Sequence, residues 1–273
     1  FVTFSLGLVG FVDDYKKVIK NDKKGLIARF KLAGQIAVGL ILGGVLYFYP
    51  AFEEYNTLTT VPFLKSVNID YAILGEALGW LIYIPVVIFV IAAVSNAVNL
   101  TDGLDGLAAG ITAICASILA IFAYVSGRVD FSNFLDILYL PGSGELAIFC
   151  ASVVGACLGF LWYNSNPAQV FMGDTGSLAL GGSLGALALM IHKELLLPFV
   201  CGIFLLETLS VIIQTSYFKF TRKRYGEGRR IFLMTPIHHH FEKKGWAEQK
   251  IVVRFWIISI LLGIISLLTL KLR

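Results

Sequence analysis

The chain has few charged residues. Of its 273 residues only 15% are Asp, Glu, Lys or Arg, whereas 57% are hydrophobic, and the mean hydropathy is +0.80. A soluble domain of this length needs many more charges, because its surface must stay hydrated. The scarcity of charge therefore excludes a water-soluble protein. The net charge of +4 does not indicate nucleic-acid binding, because a protein with so few charged residues has no folded soluble face to present the basic ones.

Cysteine is also scarce. The four cysteines all lie inside apolar stretches without metal-ligand spacing, and we interpret them as small core residues: Cys115, Cys150, Cys157 and Cys201. There is no internal repeat or low-complexity linker. Residues 1–273 are therefore predicted to form a single integral-membrane domain. The chain begins without Met and with a short apolar stretch, so we expect N-terminal helices to be missing.

What the sequence does contain is long apolar stretches. Seven have a length near the ~20 residues that a helix needs to cross a ~30 Å hydrocarbon core. They are Leu32–Phe52, Ala77–Val98, Leu107–Ser126, Leu146–Tyr163, Thr175–Ile191, Leu195–Phe218 and Ile251–Leu270. Phe1–Val12 is a partial span. The predicted fold is an all-α, polytopic transmembrane bundle with seven full spans and a partial first one. In Pro50–Glu76, alternating Thr, Val and Phe residues predict a short external hairpin.

The distribution of Lys and Arg predicts the orientation of the bundle. Sixteen of them lie in Asp13–Lys31 and Lys219–Lys250, against five in the alternate connections and at the C-terminus. Cytoplasmic loops hold the excess of positive charge. The polar segments around Asp13, Asn96–Gly106, Asn164–Asp174 and His238 are therefore all expected at the cytoplasmic surface.

The segment Asn96–Gly106 connects two uncharged spans and contains two carboxylates. Asn96, Asn99, Asp102 and Asp105 recur at every third residue, so successive members are neighbours on any helical turn that they share. This density of acids and amides predicts a cation and phosphate site. The alternative is a polar loop whose Asp and Asn side chains only cap the next helix.

Two further acidic positions border apolar spans. Asp13 and Asp14 follow the first span, and adjacent helical side chains diverge by about 100°, which favours one catalytic and one supporting residue over an ordinary acidic helix end. Asp174 precedes a helix and either caps it or holds Mg²⁺ while the backbone N–H groups face a phosphate. Phe171 nearby offers a stacking face for a base.

The largest basic segment contains three consecutive histidines, His238, His239 and His240, after Pro236. Consecutive side chains diverge and no cysteine is near, so phosphate binding and proton handling are favoured over zinc. In the preceding span, Glu207 lies ~18 Å from the start and must be paired, protonated or facing a cavity. Gln214 continues its polar side towards the cytoplasm.

Taken together, these segments resemble the polyprenyl-phosphate sugar-1-phosphate transferases, and most closely the phospho-N-acetylmuramoyl-pentapeptide transferase family. The residues that carry the resemblance are Gly10–Tyr15, Asn96–Gly106, Phe171–Ser177 and Pro236–His240. The resemblance implies ten transmembrane helices in the complete protein, in the bacterial cytoplasmic membrane, with a Mg²⁺-dependent active site on the cytoplasmic face. It implies transfer of phospho-MurNAc-pentapeptide from UDP-MurNAc-pentapeptide to undecaprenyl phosphate, which gives lipid I and UMP.

We expect Asp174 to ligate Mg²⁺, Asp13 or Asp14 to act as a base or orient the acceptor phosphate, and His239 to take part in catalysis. The residues expected to bind substrate are Asn96, Asn99, Asp102, Asp105, Asn164, Phe171, Gly173, Gln214, His238 and His240. The expected partners are the two substrates, membrane lipids and a second copy of the chain, with no nucleic acid. The sequence leaves two mechanisms open, a direct displacement and a route through an aspartyl intermediate. Two alternative functions are a related enzyme that uses UDP-N-acetylhexosamine and a cation-coupled transporter, which would bind its substrate near the bilayer midplane.

Overall fold

The computed structural model describes residues 1–20, 25–49, 57–64, 67–75 and 77–271. These residues form eleven α-helices and one two-stranded sheet. The elements are α1 Val2–Val18, α2 Ala28–Phe48, β1 Leu58–Thr60, β2 Asn68–Asp70, α3 Trp80–Thr101, α4 Leu107–Ser126, α5 Val129–Leu135, α6 Ser143–Asn164, α7 Gly173–Met190, α8 Leu197–Val200, α9 Gly202–Tyr225, α10 Ile237–Lys243 and α11 Glu248–Leu268.

Six of the described helices are long and apolar enough to cross a membrane: α2, α3, α4, α6, α9 and α11. They contain 20 to 24 residues, and 20 residues rise ~30 Å. The prediction of an all-helical membrane protein is therefore confirmed. The expected span at Thr175–Ile191 forms the 18-residue helix α7, which is not among the six. α7 is rich in Gly and Ser and packs between α1 and α3, so most of its surface meets protein.

The centre of the molecule depends on two close helix contacts made at glycine. A Cβ atom on Gly10 of α1 would lie 2.2 Å from the carbonyl oxygen of Asp174, and one on Gly181 of α7 would lie 2.6 Å from the Cα of Ser95 in α3. Real Cβ atoms do not tolerate such distances, so only glycine permits these backbones to approach. The contact at Gly10 brings the end of α1 directly onto the start of α7.

α1 continues past the two aspartates to Val18, which places Asp13 and Asp14 within its last two turns, so this end stays helical. One predicted helix boundary is wrong. The predicted span Leu195–Phe218 is interrupted at Cys201, whose backbone (φ −98°, ψ 28°) leaves the helical region and separates α8 from α9. α9 then extends to Tyr225, because its basic last turn is favourable at a helix C-terminus.

The predicted hairpin is present at the far end of α7. β1 and β2 pair antiparallel, with Thr59 opposite Ile69, and Lys193 donates from Nζ to Thr60 Oγ1 at 2.8 Å. Residues 50–56, 65, 66 and 76 of the predicted segment lie outside the described residues. The hairpin and the N-terminus of α7 are separated by the length of this helix, ~27 Å for 18 residues. All four cysteines are buried free thiols, as predicted.

Candidate active site

Three carboxylates meet where the end of α1 approaches the start of α7. One oxygen from each of Asp13, Asp14 and Asp174 lies within 4.8 Å of the other two. Like charges at this distance repel, so the cluster requires compensating cations or a shared proton. The sequence predicted all three residues, and the fold brings them together across about 160 positions of the chain.

Asp14 caps the helix that contains Asp174. Its carboxylate accepts from the backbone N–H of Asp174 at 3.2 Å, from the N–H of Thr175 at 2.8 Å and from Thr175 Oγ1 at 2.6 Å. The N-cap residue of α7 is Met172, which makes no side-chain capping bond. The alternative in which Asp174 caps its own helix is therefore wrong, and Asp14 satisfies the free N–H groups instead.

The other two carboxylates share two lysines. Lys17 Nζ lies 2.5 Å from Asp13 Oδ2 and 3.3 Å from Asp174 Oδ2. Lys31 Nζ lies 2.8 Å from Asp13 Oδ2 and also contacts Asp174 Oδ2. Asp13 is fully buried, and burial opposes its ionisation, but hydrogen bonding with Asp174, the two ammonium groups and the N–H of Leu26 together hold its pKa below the ordinary range. Asp13 is therefore an anion at neutral pH.

Sequence reasoning did not name either lysine as a site residue. It interpreted the basic segment Lys16–Lys31 as a topology signal and as a means of attracting anionic lipid or a polyanionic substrate. Lys17 had a local signal, because it follows Asp13 by four positions and side chains at this spacing share a helix face. Lys31 had none, because it belongs to α2 and reaches the carboxylates only through the packing of α2 against α1.

Asn99 connects the carboxylate cluster to the segment that ends α3. Its Nδ2 donates to Asp174 Oδ1 and to Ser177 Oγ, each at 2.8 Å. Asn96, one turn earlier, instead donates to Gln35 Oε1 in α2 at 2.9 Å. The periodic residues of this segment thus divide between the site and the support of a neighbouring helix.

A cavity of about 290 Å³ opens beside Asp174. It is lined by Asn99, Asp102, Gly103, Leu104, Asp105, Asn164, Phe171, Met172, Gly173 and Asp174. The Phe171 ring is at its edge and is 79% exposed. Burial, together with the nearby charges of Asp174 and Asp14, raises the pKa of Asp102 to about 7. Asp102 therefore takes up or releases a proton near neutral pH and is sensitive to any cation placed in the cavity.

The wall of this cavity is held by hydrogen bonds among three segments. Asp105 Oδ2 accepts from the N–H of Ala168 at 2.9 Å, and Asn164 joins the N–H of Gly106 to the carbonyl oxygen of Val170. Glu248, the first residue of α11, accepts from the N–H of Asp105 at 2.7 Å. Its other oxygen accepts from Asn166 Nδ2 at 3.0 Å. Sequence reasoning missed Asn166 and Glu248, since nothing local links α11 to the α3–α4 turn.

The three histidines point to different places. His238 is fully buried against Glu207: its Nδ1 lies 3.1 Å from Glu207 Oε1, and its backbone N–H donates to Glu207 Oε2 at 3.4 Å. A Cβ atom on Gly103 would lie 2.4 Å from His238 Nε2, which places this ring directly behind the Asp102–Gly103 turn. His239 contacts Glu242, and His240 Nδ1 accepts from the N–H of Leu233 at 3.1 Å.

Gln214 supports the segment before the histidines and does not line the cavity beside Asp174. Its Oε1 accepts from the N–H groups of Ile231 and Phe232, each at 3.0 Å, and its Nε2 donates to the carbonyl oxygen of Phe232. The side chain is buried and uses its amide to hold the α9–α10 connection against α9.

The carboxylate cluster fits a hard divalent cation. Its ligand atoms are carboxylate oxygens, which Mg²⁺ prefers, and Mg²⁺ needs only one or two protein carboxylates beside water and phosphate oxygens. Three carboxylates and two ammonium groups leave one formal negative charge, so a bound cation would be favourable. Of the three carboxylates, Asp174 lines the cavity, whereas Asp13 is fully buried.

The residues of this site belong to regions that are similar to known proteins. The model of glycosyl transferase family 4 matches residues 1–192. The phospho-N-acetylmuramoyl-pentapeptide-transferase of Chloroherpeton thalassium is 61% identical over 268 residues, which cover 98% of this chain and 71% of that protein. The chain belongs to the phospho-N-acetylmuramoyl-pentapeptide-transferase family.

Two further members of the phospho-N-acetylmuramoyl-pentapeptide-transferase family show the extent of the match. The Salinibacter ruber protein is 56% identical, covering 98% of this chain and 71% of its own length. The Flavobacterium johnsoniae protein is 52% identical, covering 99% of this chain and 74% of its own. The match to the transferases therefore extends beyond residue 192 and includes the histidine segment and α11, which hold the back of the cavity.

Proposed function

We propose that the cluster of Asp13, Asp14 and Asp174 is the centre at which this transferase moves phospho-MurNAc-pentapeptide from UDP-MurNAc-pentapeptide to undecaprenyl phosphate. The products are lipid I and UMP, and the reaction is a step of peptidoglycan synthesis. The observation that carries this assignment is the convergence of three carboxylates and two lysines beside a cavity at one end of a membrane bundle.

Both substrates carry phosphate, so the site has to manage concentrated negative charge. Catalysis of phosphoryl transfer is mostly positioning and electrostatic stabilisation. Bound at Asp174, Mg²⁺ would neutralise charge on the diphosphate. Lys17 and Lys31 lie within reach of the same carboxylates, so they supply positive charge for a phosphate that approaches along α1.

The two adjacent aspartates take separate roles in this proposal. Both oxygens of Asp14 are occupied by α7, so Asp14 supports the site by fixing the start of that helix. Asp13 is ionised and paired with two ammonium groups. It can orient the acceptor phosphate through these lysines or take a proton from it.

The cavity beside Asp174 suits the nucleotide half of the donor. Its volume of about 290 Å³ is close to the lower end of ligand pockets, roughly 300 Å³. Phe171 offers an exposed ring at its edge for stacking on uracil, and Asp102 and Gly173 border the space where the diphosphate would meet the metal. The buried His238 acts from behind the Asp102–Gly103 turn, whereas His239 and His240 are both partly accessible to solvent.

The remaining expectations concern the whole protein in its membrane. The excess of Lys and Arg near this end of the bundle supports a cytoplasmic active site in the bacterial inner membrane. The same proposal includes a single integral domain with α7 as a seventh span. It also includes ten helices in the complete protein and assembly as a homodimer.

Measuring UMP release tests the reaction. The protein should release UMP from UDP-MurNAc-pentapeptide only when undecaprenyl phosphate is present, and should not release it from UDP-GlcNAc. A preparation with Asp130→Asn, a change at an exposed position far from the site, is the matched control and should behave as the wild type. Equal turnover with UDP-GlcNAc would assign the chain to the sister group of N-acetylhexosamine enzymes and refute this substrate assignment.

A further inference from the structure

A buried glutamine joins α2 to α3 inside the bundle. The side chain of Gln35 in α2 has no exposed surface. Its Nε2 donates to Ser95 Oγ at 3.0 Å, and its Oε1 accepts from Asn96 Nδ2 at 2.9 Å. Both partners belong to α3, so one amide binds two adjacent positions of the facing helix.

The same two helices hold Asp174 one turn nearer the carboxylate cluster. Lys31 precedes Gln35 by four positions in α2, which is ~6 Å along the helix. Asn99 follows Ser95 by the same spacing in α3. Lys31 Nζ contacts Asp174 Oδ2, whereas Asn99 Nδ2 donates to Asp174 Oδ1 at 2.8 Å. The orientation of the Asp174 carboxylate therefore depends on how α2 and α3 are placed relative to each other.

The apolar contact between α2 and α3 does not fix this placement. One turn beyond Gln35, a Cβ atom on Gly39 would lie 2.8 Å from the Cα of Ile88. Glycine lets two backbones approach, but it has no side chain that selects one rotation of the helix. Hydrogen bonds are directional, and a buried polar side chain in a helix interface specifies register. An apolar side chain would be buried in the bundle at lower cost, so the amide favours a positional role over simple packing.

We propose that Gln35 is a positioning residue of the active site. It fixes α2 against α3, so that one side chain from each helix holds one oxygen of Asp174. Gln35 does not line the cavity beside Asp174, so it acts through the side chains that reach this carboxylate. The inference rests on the proposed role of Asp174 in binding Mg²⁺.

The variant Gln35→Leu tests the role, because it keeps the size of the side chain and loses both hydrogen bonds. Ser95 Oγ still donates to the carbonyl oxygen of Ile91 at 2.6 Å. Asn96 Nδ2 still donates to the carbonyl oxygen of Ala92 at 2.7 Å. Neither donor is left without a partner, so Tm should fall by less than about 5 °C.

The matched control is Thr3→Val, which also removes a hydrogen bond between two helices. Thr3 Oγ1 of α1 lies 2.7 Å from Ser183 Oγ of α7, and Ser183 Oγ also donates to the carbonyl oxygen of Ala179. Thr3 is eleven positions before Asp14, which is ~16 Å along α1. This variant should lower Tm by a similar amount and leave Asp174 as it is.

Two measurements are made without substrate. The first is the rate at which an amine-reactive ester modifies Lys31, relative to the exposed Lys244. Each interhelical hydrogen bond in a membrane bundle shifts an equilibrium by about threefold, so Gln35→Leu should raise this relative rate roughly threefold to tenfold. The second is the Mg²⁺ concentration that half-saturates the gain in Tm, which should rise about tenfold, as for residues that orient metal ligands. Thr3→Val should stay within about twofold of wild type in both.

An unchanged Lys31 rate in Gln35→Leu would overturn the proposal. Equal weakening of Mg²⁺ binding by the control would do the same, because it would indicate general destabilisation. Should Gln35→Leu not fold, Ser95→Ala decides from the facing helix: it removes one of the two bonds and must raise the Lys31 rate about threefold. The labelling requires neither metal nor transfer of phospho-MurNAc-pentapeptide. A raised Lys31 rate in a protein whose wild type does not bind Mg²⁺ would therefore support the link through Gln35 and refute only the proposed metal role.

Discussion

Replacing Asp174 by Asn separates a metal ligand from a structural residue. The change keeps size and removes one negative charge. Capping of α7 should survive, because Asp14 and not Asp174 makes the capping bonds. The lost ion pairs are with Lys17, whose side chain is 40% exposed, and Lys31, which is 21% exposed. Partly exposed pairs contribute about 0–1 kcal/mol each, so the loss in free energy of unfolding should stay below about 2 kcal/mol.

The effect on activity should be much larger. A lost anionic ligand weakens both metal binding and the stabilisation of phosphate charge, and changes even to supporting residues of metal sites cost about 10- to 100-fold. We expect UMP release to fall at least a hundredfold, with partial recovery at high Mg²⁺. In melting experiments, wild-type protein should gain about 2.7 kcal/mol at a Mg²⁺ concentration of 100 times Kd, and the variant should gain almost nothing at the same concentration.

The assay is UMP release against Mg²⁺ concentration, with a melting curve at each point and Asp130→Asn as the control. Asp130 is an acidic residue whose side chain is 88% exposed and which lies in α5, beyond the far end of α4. An Asp174→Asn protein that keeps more than about half its activity at every Mg²⁺ level, and that is stabilised by Mg²⁺ as strongly as the control, would refute the metal role.

Three further predictions follow from the packing around the site. Glu248→Ala should raise KM for the nucleotide substrate at least tenfold, because it frees the α3–α4 turn. Glu248→Gln keeps one acceptor oxygen for the N–H of Asp105 and loses the one for Asn166, so it should recover part of the loss; equal damage in both variants would contradict a positioning role. Gly10→Ala should abolish activity and lower Tm, because its Cβ would meet the α7 backbone at 2.2 Å, whereas Gly155→Ala, with no atom within 4 Å, should be silent in both assays. In Mg²⁺-free buffer Asp102→Asn should raise Tm by an amount that grows from pH 5 to pH 7 and then levels off. The folded pKa of about 7 is above the ordinary 3.8, so the wild-type carboxyl loses stability as pH rises through this interval; a gain independent of pH would contradict this.

Some features of this structure could be predicted from short segments of the sequence, and others could not. The spans, the hairpin and the three site carboxylates could be predicted, because hydrophobic length and acids at membrane edges are properties of short segments. An acidic pair near a helix C-terminus is unfavourable in isolation, which indicated that Asp13 and Asp14 have a role, but only the fold shows that Asp14 accepts from the N–H groups of α7. Glu207 was predicted to need a partner, but His238 could not be identified as that partner from spacing.

By itself, the sequence determined that this protein is a helical membrane protein with its polar chemistry at one surface, because the cost of charge in hydrocarbon acts on every residue separately. The tertiary structure decided which polar groups act together. Gly10 allows α1 to touch α7, and that contact converts Asp14 into a helix cap. The packing of α2 against α1 brings Lys31 onto Asp13 and Asp174. These pairings join residues far apart in the chain, and only the packing of the helices determines them.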